Sequence, residues 1–141
     1  MVRIAVLVSG GGTNLQALID AQGRGEIPDG QIAAVISSSP DAFALERAKK
    51  AGIPGYVIDR KAFASNQAMT VALTQQLKEL DIGLVVLAGF MLILDACVIR
   101  AYEGRILNVH PSLIPAFCGE GYYGLRVHRA ALSRGVKVTG A

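Results

Sequence analysis

Cysteine is scarce in this chain. Cys97 and Cys118 are the only two among 141 residues, they fit no metal-ligand spacing, and they are too few for a disulfide framework. The expectation is a reducing, cytoplasmic setting with no bound metal. Runs of one charge are also missing. Fourteen Lys and Arg against eleven Asp and Glu leave a net charge of +3 and a pI near 9.1. The cations are scattered, without the aromatic-interleaved basic stripe of a nucleic-acid binder. Small anions are therefore better candidate partners than nucleic acid. The longest apolar run, Ile82 to Leu94, falls short of the ~18 residues of a membrane span. The apolar start, Ile4 to Val8, is too short for a signal peptide and leads straight into glycines, so no membrane association is expected.

What the chain does have is apolar residues, 52% of the total, in a length that suits one domain with one core. Val2 to Val8 is apolar apart from Arg3 and rich in β-branched residues, as in a parallel strand buried on both faces. Leu15, Leu18 and Ile19 then fall at helical spacing. The pattern continues with a strand over Gln31 to Ile36 and a helix from Asp41 to Ala51, stopped by Gly52. It goes on with a short strand Tyr56 to Ile58, a helix over Ala62 to Leu80 carrying Val71, Leu73, Leu77 and Leu80, and a strand Leu84 to Ala88. Asp95 is placed to cap a helix to about Tyr102, and a last helix is expected over Leu125 to Arg134. Strands and helices alternate without repeats or linkers, which implies an α/β fold: an open, Rossmann-like, mostly parallel sheet with helices on both faces.

Two strand ends carry residues suited to chemistry. After the first strand comes Ser9-Gly10-Gly11-Gly12-Thr13-Asn14. Glycines let a backbone approach an anion closely, and the free N–H groups and positive end of the following helix stabilise its charge. No Gly-Lys-Ser/Thr follows, so this is not a Walker A loop. The third glycine of the dinucleotide pattern is replaced by Leu15, and no ribose-binding acid follows Ser37-Ser38-Ser39. One phosphate on Gly12, Thr13 and Asn14 is the reading, with a ligand-free turn as the alternative.

The second is Arg105 to Pro115, Arg-Ile-Leu-Asn-Val-His-Pro-Ser-Leu-Ile-Pro. Ile106 and Leu107 read as the end of a buried strand that Pro111 and Pro115 prevent from continuing. Strand alternation would put Asn108 and His110 on the same side. The loop Gly89 to Leu94 ends another strand and is apolar enough to line a pocket. Cys118 could serve as a nucleophile beside His110, although a small apolar loop residue is its commoner role. His128 sits between arginines in a helical pattern and reads as a surface residue.

With these residues in view, the chain resembles the phosphoribosylglycinamide formyltransferases. The resemblance rests on Ser9 to Asn14 with Leu15-Gln16-Ala17, Asp41-Ala-Phe with Glu46-Arg47-Ala48, Leu87-Ala-Gly-Phe-Met91, and Asn108-Val-His-Pro-Ser-Leu-Ile-Pro115. The last motif is shared with methionyl-tRNA formyltransferase and formyltetrahydrofolate hydrolase, whereas the glycine loop separates the first group from those two. The resemblance implies transfer of formyl from 10-formyltetrahydrofolate to the amine of glycinamide ribonucleotide, with no metal. Gly12, Thr13 and Asn14 would hold the substrate phosphate. Met91, Leu92, Ile93 and Leu94 would contact the folate, with Asn66 nearby and Asn108 beside the formyl group. Asn108 and His110 would be the catalytic pair, and a homo-oligomer is compatible with the family.

The sequence departs from that pattern in places. Leu92 stands where the family often has arginine, and Asn66 falls where some relatives place a folate-contacting arginine. The resemblance also implies that relatives continue past Ala141 with a loop whose aspartate orients the histidine. Residues 1–141 would then be a formyltransferase catalytic domain that is C-terminally incomplete relative to the family. None of Asp20, Asp29, Asp41, Asp59, Asp81 or Asp95 takes that role from sequence. Two alternatives stay open: another formyl-folate enzyme, or a non-catalytic fragment that binds phosphate or nucleotide.

Overall fold

Within the run Val2 to Val8, the segment from Ile4 onward satisfies its backbone and buries its side chains only inside a sheet covered on both faces. In the computed structural model, which describes Met1 to Ala141, that run is the central strand β1 (Val2–Val8). It is joined by β2 (Gly30–Ser37), β3 (Gly55–Val57), β4 (Leu84–Leu87) and β5 (Ile106–Asn108). All pairings are parallel, in the order β3-β2-β1-β4-β5. The crossovers are α1 (Thr13–Gly23), α2 (Phe43–Lys50), α3 (Asn66–Glu79) and α4 (Ala96–Ala101). The α/β, Rossmann-like expectation holds, and the sheet is entirely parallel. The chain divides into two compact units, Met1–Asn108 and Val109–Ala141.

Alternation along β1 builds two cores in the first unit. Ala5 and Leu7 join Met69, Leu73, Leu77, Val98 and Tyr102 of the α3 and α4 layer. Ile4, Val6 and Val8 join Leu15, Ala44 and Ala48 of the α1 and α2 layer. Each large aliphatic side chain fully buried in this way contributes about 1.5–3 kcal/mol of transfer free energy. In β2 the alternation slips. Ile4 pairs with Ile32 but Ala5 pairs with Ala34, which leaves Ala33 as an extra residue in the ladder. The bulge sends Ile32 and Val35 to one face and Ala34 and Ile36 to the other.

Helix starts depart from the expectations drawn from sequence. The second helix does not begin at Asp41, because a turn closed by the Ala42 N–H on the Ser39 carbonyl occupies those residues, and α2 starts at Phe43. Its end agrees, with Gly52 at φ 69° just beyond it. The third helix does not begin at Ala62. A one-turn 3-10 helix, Arg60–Ala62, is capped by Asp59, whose side chain accepts from the Lys61 N–H. Ser65 then caps α3, accepting from the Ala68 N–H at 3.0 Å. Asp95 occupies the N-cap position of α4 but its side chain makes no capping bond. β5 is not the buried strand expected. As an edge strand it pairs only with β4, and Leu107 is 58% exposed.

The second unit opens with a proline-bounded turn. The buried Ser112 hydroxyl donates to the Ala116 carbonyl at 2.7 Å, and the Ala116 N–H donates to the Leu113 carbonyl at 3.1 Å. The Cys118 thiol donates to the Pro115 carbonyl at 3.2 Å, and the Phe117 and Tyr122 rings meet at a tilt, 6.3 Å apart. Helix α5 (Leu125–Arg134) has the expected bounds, buries Val127 and Ala131 at i, i+4 spacing, and ends on Gly135 in the left-handed region. His128 is exposed, as expected of a surface residue.

Candidate active site

The chain runs outward from β1 through β2 to β3, then returns to place β4 on the other side of β1. At such a reversal the loops leaving the two neighbouring strands diverge, and a crevice opens at their carboxyl ends. Here those loops are the glycine loop after β1 and Gly89–Leu94 after β4.

The glycine loop is held from behind. The Ala44 N–H of α2 donates to the Gly10 carbonyl at 3.0 Å, the Arg47 Nε–H donates to the Gly11 carbonyl at 2.8 Å, and the Gln16 N–H donates to the Gly12 carbonyl at 2.9 Å. Arg47 is fixed in turn by its bond to Gln16 Oε1 at 3.1 Å and by its position over the Phe43 ring. A trans peptide sets C=O and N–H in opposite directions. With all three glycine carbonyls turned back into the protein, the N–H groups of Gly11, Gly12 and Thr13 turn the other way. No side chain caps α1, so its first turn keeps its donors free for a ligand. An anion there gains about 0.3–2 kcal/mol from the helix end. Gly12, Thr13 and Asn14 thus lie together at that end, with Asn14 exposed.

The loop after β4 is tied to the first loop and to α3. The Met91 N–H donates to Ser9 Oγ at 2.8 Å, and Ser9 Oγ lies 2.5 Å from Ser38 Oγ at the end of β2. Asn66 Nδ2 donates to the Ile93 carbonyl at 3.0 Å, so Asn66 braces this loop through its backbone. The four apolar loop residues divide by direction. Met91 and Ile93 are 60% and 81% exposed, whereas Leu92 and Leu94 pack against the core. Asn108 is exposed at the end of β5, in register with Leu87 of β4, and so lies at the same sheet end as the two loops.

His110 lies in the second unit. Because β5 ends at Asn108, strand alternation does not carry through to His110 and does not set its direction. Its Nε2 is enclosed and has no hydrogen-bond partner. Cys118 spends its thiol on the Pro115 carbonyl. No three His, Cys, Asp or Glu side chains are gathered to hold a metal ion, and no helix is long and apolar enough to cross a membrane.

Residues 2–141 match the sequence profile of the formyl transferase family. The chain belongs to that family. Among relatives, it is 49% identical to phosphoribosylglycinamide formyltransferase of Haemophilus influenzae over 87% of this chain and 58% of that protein. It is 45% identical to the Escherichia coli protein of the same name, over 95% of this chain and 60% of that one. The crystal structure of glycinamide ribonucleotide transformylase 1 from Symbiobacterium toebii superposes with a TM-score of 0.89 at 46% identity, covering 99% of this chain and 63% of that chain. The chain therefore spans about three-fifths of these relatives' length.

Three residues of this candidate site escaped the reading of the sequence as individuals: Ser9, Ser38 and Arg47. Ser9 and Arg47 stand inside the motifs that carried the resemblance, yet nothing in their spacing reveals that one bridges two loops and the other holds a glycine carbonyl. Ser38 follows β2 as an ordinary turn serine.

Proposed function

We propose that this protein transfers the formyl group of 10-formyltetrahydrofolate to the amine of glycinamide ribonucleotide. The observation that carries the reading is the glycine loop, with its carbonyls held by α2 and Arg47 and its N–H groups free for a phosphate, beside the exposed Met91–Leu94 loop. The names of the relatives agree with it. The ribonucleotide phosphate would rest on Gly12, Thr13 and Asn14. The folate would lie on the loop after β4, against the side chains of Met91 and Ile93 and the backbone of Leu92 and Leu94, with Asn66 holding that loop in place.

The substrate amine attacks the formyl carbon, and the carbonyl π pair moves onto oxygen. The nitrogen loses a proton, and the tetrahedral intermediate collapses by expelling the folate nitrogen, which takes up a proton. Asn108 donates to the developing oxyanion, an interaction worth about 10² to 10³ in rate. His110 moves the proton, worth about 10² to 10⁴. The unpartnered His110 Nε2 supports this role, since a nitrogen spent on the protein could not take it up.

The test is formyl transfer measured alongside ribonucleotide binding. His110→Ala should lower turnover by about a hundred- to ten-thousandfold while leaving ribonucleotide affinity nearly unchanged. Near-normal turnover in that variant would remove His110 from the mechanism. Failure of glycinamide ribonucleotide to bind the unaltered protein would reject the assignment as a whole.

A further inference from the structure

The geometry points to Ser9 as a positioning residue that couples the two substrate loops, so that filling the glycine loop with a phosphorylated ligand organises the loop after β4 for the folate. This inference rests on the formyl-transfer reading above. Ser9 ends the buried run of β1 and is half-buried at the start of the glycine loop. Its Oγ accepts the Met91 N–H at 2.8 Å, a contact across 82 residues of sequence. The same oxygen pairs with Ser38 Oγ at 2.5 Å, bringing the end of β2 into the contact.

Counting protons sharpens the point. Two hydroxyls supply two hydrogens, and their mutual bond uses one. The Met91 N–H brings its own hydrogen and uses only a lone pair of Ser9. Whichever serine donates, one O–H of the pair remains to offer to a ligand. A ligand that takes it fixes the rotation of the hydroxyls and with it the acceptor on which Met91 depends. The loop after β4 is then held at Met91 by Ser9 and at Ile93 by Asn66. Because coupling between two binding equilibria is reciprocal, the folate tightens the ribonucleotide by the same factor as the ribonucleotide tightens the folate. One neutral hydrogen bond sets the scale at about 3- to 10-fold.

The experiment is calorimetric titration of the protein with glycinamide ribonucleotide, alone and with saturating tetrahydrofolate, followed by the reverse titration. In the unaltered protein each ligand should tighten the other by that factor. Ser9→Ala should bring the ratio to about one. Ser9→Thr, which keeps the hydroxyl, should restore coupling, and Ser9→Cys, near in volume but a weak acceptor, should not. If Ser9→Ala is too unstable to titrate, the Cys variant decides the matter. Unaltered coupling in the Ala or Cys variant, or its absence from the unaltered protein, overturns the role of Ser9 and leaves the proposed activity standing. A protein that binds no ribonucleotide loses both.

Discussion

Gly12 is the residue at which backbone, packing and the proposed chemistry meet. Its φ of +72° lies in the left-handed region, and a Cβ built there would stand 2.6 Å from the Ala44 Cβ and 2.9 Å from the Ala44 Cα. The nearer helix cannot give way easily, since Ala44 and Ala48 are buried against the sheet. Gly12→Ala should therefore lose about 2–4 kcal/mol, combining backbone strain with overpacking, read from the midpoint of urea unfolding. Gly11 differs in both respects: its φ lies outside the left-handed range, and nothing lies within 4 Å of a Cβ built there. Gly11→Ala should keep or slightly raise stability, by up to about 1 kcal/mol, while weakening ribonucleotide binding by crowding the anion's approach. Loss of binding with stability intact would separate the loop's ligand role from its folding role, which Gly12 alone cannot do. The glycines were visible in the sequence as the turn between the first strand and the first helix. Their division of labour was not, because it depends on Ala44, more than thirty residues away.

At the scale of elements, α3 shows what periodicity can and cannot supply. Its buried residues are Met69, Thr70, Leu73, Thr74 and Leu77, a two-residue-per-turn stripe in which two threonines take core positions. The Thr74 hydroxyl donates to the Thr70 carbonyl and the Thr70 hydroxyl to the Asn66 carbonyl, so both polar groups are satisfied without leaving the helix. A reading by hydrophobicity counts Val71 with the stripe and passes over the threonines. In the structure Val71 is 53% exposed. Leu73→Ala should cost about 2–5 kcal/mol and Val71→Ala less than about 1, so comparing their thermal unfolding tests the orientation of the helix. Ser65→Ala should cost about 1 kcal/mol through loss of the cap. The sequence pattern started this helix at Ala62 because the apolar Ala62-Phe63-Ala64 before Ser65 extends the helical pattern backwards. Only the 3-10 turn capped by Asp59 shows why the chain starts its helix later.

At the scale of the molecule, the parallel fold was legible because a strand segment buried on both faces must be continuously apolar, and β1 from Ile4 to Val8, β2 from Ile32 to Ile36 and β4 are. β5 was harder to read for the matching reason: Ile106-Leu107 looks the same in sequence wherever it stands in a sheet, and only the strand order places it beside β4. The opposite end of the first unit from the crevice offers a pH test of how this core closes. Tyr102 ends α4 and is 97% buried, packed with Leu77, Ile82 and Val85. Burial raises its pKa above the usual value for a phenol; Arg105, whose guanidinium stands 5.1 Å from the ring, opposes the shift, and Asp81 adds to it. The neutral phenol is thus the form that the folded state favours. Because the folded pKa exceeds the unfolded one, this contribution is fully present below the unfolded pKa, about 10, and is lost as pH rises through the folded value. Tyr102→Phe removes the titration. The difference in unfolding free energy between the two proteins should stay constant from neutral pH to about 9 and then move in favour of the Phe variant. Every other group is common to the two proteins and cancels in that difference. A difference that stayed flat through the alkaline range would mean that the Tyr102 hydroxyl reaches solvent freely, through the cleft lined by Lys78, Asp81 and Arg105.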